Sequence, residues 1–361
     1  MIKSLRQITS RIRIGGARPG AGRGEEGISP RATGGGPRCR SHGTWVAGLL
    51  LAACALSWTA PAAAAGPAEL PPLGFQPLPR EVAIALEQPV GGSPGFRTLP
   101  GALDWRDAGI ITPPKAQLDC GGCWAFAGIA CLEAMSVSAG ADPGLDLSEQ
   151  FPLSCDTLFR PMYAVANEGC CGGTVTVFEF LKENEAISEA AFPYGNGDYD
   201  GSGPRNCAVS PTWNTIPCPW PYPPNTVWRV QSWSLIAPQP VPGTEQIKAA
   251  LQDGPVWLGF YVYEDFIDYW FFNPDPEIPY RHTSGTYLGG HAVLAIGYND
   301  IGHYWIVKNS WGTTGPFGDG TFRVDYSDNC DFGLNAAKIT VEEQETPART
   351  ASLGNIRALF R

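Results

Sequence analysis

Four residues scattered along the chain have the types that amide hydrolysis by a thiol requires: a nucleophile, an acid and base, a group to orient that base, and a donor for the oxyanion. Cys123 closes the stretch Gln117-Leu118-Asp119-Cys120-Gly121-Gly122-Cys123, with Pro113 and Pro114 upstream and the apolar run Trp124–Met135 downstream. That run predicts a helix, so Cys123 falls at a loop-to-helix junction. Unpaired backbone N–H groups and the positive end of the helix dipole favour thiolate over thiol there, and a lowered thiol pKa is expected. His291 follows Gly289-Gly290 and opens the apolar run Ala292-Val293-Leu294-Ala295-Ile296, which places an imidazole at the start of a strand. Beyond residue 65 the other histidines are His282, in a proline-containing loop, and His303, beside Gly302. Asn309 offers an amide oxygen that can accept the imidazole N–H and hold one tautomer. Gln117 offers a side-chain amide for an oxyanion, with the backbone N–H of Cys123 as second donor. Taken singly these residues have blander uses: Cys120-Gly-Gly-Cys123 can be a disulfide or a zinc half-site, and a lone histidine beside an apolar strand can be structural.

Taken together they resemble the papain-like cysteine peptidases, in which a Gln precedes a Cys-Gly-x-Cys-Trp-Ala-Phe run. Gly290-His291-Ala292-Val293 and Lys308-Asn309-Ser310-Trp311-Gly312 follow in the order this family requires. Three matches in order argue against coincidence and against metal binding, and the chain is identified as a bacterial secreted member. The resemblance implies an α+β fold of two lobes: a helical left lobe carrying Cys123, a β-barrel-like right lobe carrying His291, and a cleft between them. It implies a cysteine-type peptidase working through a Cys123 thiolate and a His291 imidazolium oriented by Asn309, with Gln117 in the oxyanion hole and no metal or other cofactor. Trp311 would shield the His–Asn hydrogen bond. Gly121 and Gly122 join the substrate-binding set, and Gly172 and Gly173 become backbone that pairs with an extended peptide. Thr174, Val175 and Ala292 wall the main side-chain pocket, with a floor near Asn335 to Ala337, although Cys330-Asp331-Phe332-Gly333 is spaced unlike the family. None of these is charged, so an endopeptidase with an apolar preference is expected. Phe317 stands where the family has Trp. The disulfides carried over by position are Cys120–Cys170 and Cys155–Cys207. Cys131, Cys171, Cys218 and Cys330 remain, with Cys131–Cys171 and Cys218–Cys330 preferred among three possible pairings.

Composition agrees with a secreted enzyme. The chain has 361 residues, 43% hydrophobic and 17% charged, enough for a large packed core. Residues 1–65 hold nine Lys/Arg against two Glu, a surplus of seven, so the rest of this −10 chain carries −17. An acidic surface excludes nucleic acid and anionic membranes as natural partners. Polypeptide substrates and proteinaceous inhibitors are the expected partners of a monomer. Of eleven cysteines, Cys39 and Cys54 lie in the leader. With Cys123 free, eight remain, an even number that fits four disulfides and an oxidising compartment.

The remaining elements must carry and position that chemistry. Residues 1–65 combine a basic region, the apolar run Trp45–Leu56 and Ala62-Ala63-Ala64-Ala65, which together read as a signal with cleavage near Ala65. Twelve apolar residues fall short of a membrane span. A lesser alternative treats Leu51-Ala52-Ala53-Cys54 as a lipoprotein box that would anchor the protein through Cys54. Residues 66–97 form a short pro-segment or linker, with a helix-compatible piece at Arg80–Gln88. Thirty residues are fewer than the helical propeptides of this family, so a linker without inhibitory function is expected. The peptidase domain covers 98–340 and a polar tail 341–361. Ser148 is placed to cap a helix after Leu147, with helices at Val175–Asn184 and Thr244–Gln252. Strands are expected at Val256–Tyr263, His291–Tyr298, Tyr304–Lys308 and Thr321–Asp325. The Gly/Pro/Trp-rich 195–224 stretch is a long loop that could close one end of a cleft. A silent papain-fold binding protein and a peptidoglycan amide hydrolase are the competing readings; the complete set of catalytic residue types disfavours the first, and Gln117 with Lys-Asn-Ser-Trp-Gly the second.

Overall fold

The structure is a computed structural model that describes residues 72–88, 98–156, 160, 163, 165–195, 216–219, 221, 228–273 and 275–343. The leader with Cys54 and Ala65, Cys207, most of the 195–224 loop and the tail beyond 343 lie outside these residues. Helix α1 (Arg80–Leu86) and strand β1 (Glu87–Gln88) come first, then β2 (Ala102–Asp104) and the long α2 (Cys123–Ser138). Helix α2 starts directly after the Gly121-Gly122 pair and mixes four alanines, Leu132, Glu133 and Met135 with weaker helix formers, so its burial against the core must hold it. It stops at Ala139 and Gly140, whose φ of +110° only glycine tolerates well. Nearly every side chain of α2 is buried, as an all-round apolar helix requires. Helix α4 (Val177–Glu183) packs against α2, and α3 (Gln150–Cys155) packs against α4. Gly128 permits the close α2–α4 approach, since a Cβ there would meet Val177 Cγ1 at 2.9 Å. Ser148 works as expected from just ahead of α3: its hydroxyl accepts the Phe151 N–H at 3.2 Å.

The second half of the chain adds β3 (Trp228–Ile236), α5 (Thr244–Leu251), β4 (Val256–Tyr263), α6 (Glu264–Phe272), β5 (Tyr287–Asn299), β6 (Tyr304–Lys308), β7 (Thr321–Asp325) and β8 (Leu334–Glu343). They form one sheet in the order β1-β3-β8-β4-β5-β6-β7, with β2 also pairing β5. This open sheet replaces the expected barrel-like right lobe: among the described residues its end strands β1 and β7 pair with each other nowhere. Alternation along β4 divides two cores. Val256, Leu258, Phe260 and Val262 join α5 and α6 on one face, while Trp257 reaches the helical core on the other. Val293 and Ala295 of β5 likewise face α5 and α6, and Ala292, Leu294 and Ile296 face α2. The sheet is therefore covered on both faces, and α2 lies against the face that presents β5.

The cysteine pairing differs from expectation. Cys120–Cys170 forms, but Cys155 pairs with Cys218 rather than Cys207. Cys171 is disulfide-bonded to a partner outside the described residues, and Cys131 and Cys330 are free. Neither Cys131–Cys171 nor Cys218–Cys330 exists. Cys131 belongs to the helical core, where its thiol reaches the Pro255 carbonyl, whereas Cys330 is buried in the core on the opposite face of the sheet, beside Asp328.

Trp257 ties helices to sheet through full burial and an indole N–H donated to the Trp124 carbonyl at 3.3 Å. Trp257→Ala should therefore destabilise the fold by about 3–5 kcal/mol in urea titration. Ile301→Ala, at a position 96% exposed, should change stability by no more than ~0.5 kcal/mol; equal responses would refute this division of the cores.

Candidate active site

Cys123 opens α2 and is buried with a free thiol, while its neighbour Cys120 is tied to Cys170. The half-cystine reading of Cys123 is thereby removed. The turn before the helix is held by the Cys120 N–H bonded to the Gln117 carbonyl at 3.1 Å, with Leu118 at φ +46°. His291 lies on β5 opposite Phe260 of β4. Its Nε2 is 2.7 Å from Asn309 Oδ1, and the backbone N–H of Ser310 donates to the same oxygen at 2.8 Å. Two donors on one atom fix the amide's orientation, and an oxygen that only accepts places the imidazole proton on Nε2. His291 Nδ1 is then the lone-pair nitrogen, buried and without a hydrogen-bond partner. Trp311 covers the ring with its centroid 4.8 Å away and is itself wedged against Phe266 and Trp270.

The loop before α2 and the strand end carrying Asn309 are bonded together. Gln117 N–H donates to the Ser310 carbonyl at 2.8 Å, Gly312 N–H to the Lys115 carbonyl at 3.1 Å, and Ser310 Oγ to Gln117 Oε1 at 2.6 Å. The last bond turns Gln117 Nε2 outward, where it donates to the carbonyls of Pro72 and Cys120, both at 2.8 Å. Behind this group runs a buried charged network. Lys115 Nζ reaches Glu133, Glu149 and the Leu147 carbonyl. Thr112 donates to Glu133 and receives Lys308 Nζ at 2.9 Å. Lys308 belongs to β6 and Glu133 to α2, so the network spans sheet and helix.

Residues 72–78 lie across the site as a strap, where sequence reasoning expects a linker. Gly74 and Gln76 sandwich Gly173: the Gly173 N–H donates to the Gly74 carbonyl at 2.8 Å, and the Gln76 N–H to the Gly173 carbonyl at 2.9 Å. Phe75 N–H donates to the Gly290 carbonyl at 3.0 Å, and Leu78 N–H to Asn335 Oδ1 at 2.8 Å. The strap continues into α1 and into β1, which pairs in parallel with β3. Cover by the strap decides the electrostatics. Burial pushes the Cys123 thiol up to about 11, although backbone N–H groups of Ala292 and Gly74 favour its thiolate. Burial also pushes His291 down to about 4, against the opposing Asn309 bond. The expected lowered thiol pKa is thus reversed in this covered form, because desolvation outweighs the helix terminus.

Gly121, Gly172, Gly173 and Ala292 all adjoin the strap or the sulfur. Gly122 is the residue from which α2 springs, and its carbonyl accepts the Ala125 and Phe126 N–H groups. Thr174 and Val175 are fully buried, Thr174 bonding to Asn167 and Thr176 and Val175 packing in the helical core. Asn335, expected near a pocket floor, instead grips the strap. Sequence reasoning missed Pro72, Gly74, Phe75, Ser310 as a connector, and Gly259 beneath the Phe75 ring. Nothing in Leu73-Gly74-Phe75 distinguishes an inserted strand from a spacer.

The profile described as papain family cysteine protease matches residues 99–341. Cathepsin S of Bos taurus is 31% identical over 237 residues, covering 61% of this chain and 58% of the relative. Cathepsin L2 of Homo sapiens is 30% identical over 262 residues, covering 68% of this chain and 66% of the relative. The chain thus spans roughly three-fifths of the length of these relatives. Among solved structures, proCathepsin B S9 from Trypanosoma congolense shares the fold with a TM-score of 0.57 at 24% identity, over 75% of this chain and 87% of that one.

The lowered His291 pKa has a signed consequence. Between about pH 4 and pH 6.5 the folded, covered state binds fewer protons at His291 than the unfolded chain does, so stability rises with pH in that window and is lost as pH falls through it. In a Cys123→Ala background, the chain retaining His291 should lose about 2–3 kcal/mol more stability between pH 7 and pH 4.5 than one that also carries His291→Gln. Parallel losses in denaturant titrations at both pH values would show that His291 is not held neutral.

Proposed function

Because the chain belongs to the papain family of cysteine proteases, we propose that it is a secreted cysteine-type endopeptidase, kept latent in the described form by its own residues 72–78. The observation that carries this reading is the division of labour around one thiol. Cys120 is consumed by Cys170, Cys123 is left free at a helix start, and His291 has its Nε2 committed to Asn309, which leaves Nδ1 to take a proton.

Departure of the strap admits water and relieves the desolvation that holds thiol and imidazole neutral. Cys123 then transfers its proton to His291 Nδ1, and the thiolate attacks the carbonyl carbon of the scissile peptide. Charge developing on the carbonyl oxygen meets Gln117 Nε2 and the Cys123 backbone N–H, the former vacated by the Pro72 carbonyl. The imidazolium returns its proton to the leaving amine. Water then adds to the thioester with His291 as base, and the acid product leaves with the thiolate restored. Asn309 holds the ring through both half-reactions, and Trp311 keeps water from competing for that bond.

An extended polypeptide takes the strap's place along Gly172-Gly173, and a proteinaceous inhibitor would compete for the same backbone. Disulfides of the described residues suit an oxidising compartment, and no helix among those residues is long and apolar enough to cross a membrane. The protein acts as a monomer.

Gly74 supplies the test. A Cβ at this position would sit 1.7 Å from the Gly121 carbonyl oxygen, so any side chain lifts the strap. In the full chain, Gly74→Ala should raise the rate of Cys123 labelling by an epoxysuccinyl reagent by about tenfold or more and expose hydrolysis of denatured casein. On that background Gln117→Ala should lower kcat by about 100- to 1000-fold, and Asn309→Ala by about 10- to 100-fold. A Gly74→Ala chain that neither labels at Cys123 nor cleaves casein would end this reading.

A further inference from the structure

The two backbone groups that hold the strap at Gly173 are both gripped from behind. Gly173 N–H donates to the Gly74 carbonyl at 2.8 Å, and the Gly173 carbonyl accepts the Gln76 N–H at 2.9 Å. A planar trans peptide unit points its C=O and N–H in opposite directions, so whatever holds one end aims the other. The unit ending in the Gly173 N–H begins with the Gly172 carbonyl, which accepts the Glu168 N–H at 2.7 Å. The unit beginning with the Gly173 carbonyl ends in the Thr174 N–H, which donates to Asn167 Oδ1 at 2.7 Å. Asn167 and Glu168 thus set both recognition groups, one through a side chain and the other through backbone.

The side-chain grip needs support of its own, because the amide turned over would meet Thr174 with a donor. Asp156, just past α3, supplies it. Its Oδ2 accepts Asn167 Nδ2 at 2.6 Å, and its Oδ1 accepts Arg160 Nη2 at 2.9 Å. A carboxylate offers only acceptors, so Asn167 turns its nitrogen to Asp156 and its oxygen to Thr174. Asp156 and Asn167 are 1% and 2% exposed, which keeps solvent from replacing either bond. Asn167 also lies directly beneath Gly173, where a Cβ would come within 2.7 Å of Oδ1.

We propose that Asn167, anchored by Asp156, is a positioning residue for peptide binding: it aims the Gly173 carbonyl at the N–H of whichever extended chain lies in the cleft, strap or substrate. The inference rests on the peptidase reading for its ligand, while the strap supplies the geometry. The bonds of the Asn167 side chain run to Asp156 and Thr174, neither of which belongs to the reacting set. Asn167 therefore acts on binding and leaves the bond-breaking step alone.

Cys123 alkylation by iodoacetamide in the full chain reports how firmly the strap is seated and needs no turnover. Asn167→Ala should raise its rate by about three- to tenfold, the loss of about one hydrogen bond. Gln76→Pro removes the N–H that the Gly173 carbonyl accepts and should raise the rate likewise. Combined, the two should raise it hardly more than either alone, because both act through one bond. A second measurement uses the Gly74→Ala chain and a fluorogenic peptide, with active sites counted by epoxysuccinyl titration. Asn167→Ala should raise KM by about three- to tenfold and leave kcat within about twofold. Asn167→Asp gives a reading that does not depend on the alanine variant folding. At about pH 7.5 its carboxylate faces that of Asp156, and KM should rise at least as far. At about pH 5 the new carboxyl, once protonated, can donate to Asp156 and accept from Thr174, and KM should return to within about twofold of the parent at the same pH. Arg160 and, behind it, Glu183 are the charged groups that act on that pair. Multiplying effects of Asn167→Ala and Gln76→Pro on alkylation, or a fall in kcat at unchanged KM, would overturn the proposal. Coupled alkylation effects in a chain that hydrolyses no peptide would uphold the positioning role and refute the peptidase reading instead.

Discussion

The bond between His291 Nε2 and Asn309 Oδ1, buried and 2.7 Å long, is the interaction on which the site depends, and its reach extends beyond the imidazole. Asn309 is followed by Ser310, whose N–H fixes the amide oxygen and whose hydroxyl fixes Gln117 Oε1. One dipeptide just after β6 thus orients both the imidazole and the glutamine amide, the proposed base and oxyanion donor. Neither group could be held by its own backbone alone: the histidine ring and the glutamine amide each have a free terminal torsion, and a wrong setting of either leaves a donor where an acceptor is needed. Trp311 completes the unit by keeping water from the bond. The Lys115–Glu133–Thr112–Lys308 network then ties that dipeptide's strand to the helix that carries Cys123, with each buried charge or hydroxyl bonded. A buried network of this kind contributes little net stability, but it leaves few other ways to dock α2 on the sheet.

Burial gives the same geometry two electrical states. Covered, the site is a neutral thiol beside a neutral imidazole, because a pair of charges without water or a compensating partner is costly. Without the strap the Gly74 N–H is lost, but the N–H groups of Ala292, Trp124 and Cys123 still favour the thiolate and the Asn309 bond still favours the imidazolium, with less desolvation against them. In the proposed reading the strap would suppress reactivity by lowering the local dielectric as well as by occupying space. The Pro72 carbonyl also occupies Gln117 Nε2, the proposed oxyanion donor.

What the sequence made legible was the placement of certain residues and several strands. Residue type and order anticipated a free Cys123 at a helix start and a His291–Asn309 pair. The strands Val256–Tyr263, Tyr304–Lys308 and Thr321–Asp325 have the expected bounds because their apolar runs end sharply at polar or glycine positions. Helix α6 was hidden: Glu264–Phe272 follows β4 without a break, and its aromatic composition reads as more strand. Strand β8 (Leu334–Glu343) runs through both the expected pocket floor and the start of the expected tail. Cysteine parity misled as well. Cys131 and Cys330 are held in separate cores by packing, and an even count says nothing about which thiols can meet. The strap was invisible for a different reason: its hold on the cleft is mostly backbone hydrogen bonding, which carries no side-chain signature.

Two missing side chains remain to be explained together. Gly74 has no room for a Cβ against Gly121, and Gly259 has none beneath Phe75. In a strand interior a glycine weakens the element unless another segment must come close, which is the situation of Gly259 in β4 beneath Phe75. The first lets the strap's backbone approach the loop before Cys123; the second lets its ring sink into the sheet. A bulkier residue 259 would eject Phe75 and leave the strap held by backbone bonds to Gly173 and Gly290 and by Asn335, and those bonds exchange readily for bonds to water. The missing side chains at 74 and 259 thus let one short segment lie against the loop before α2 and against the sheet at once.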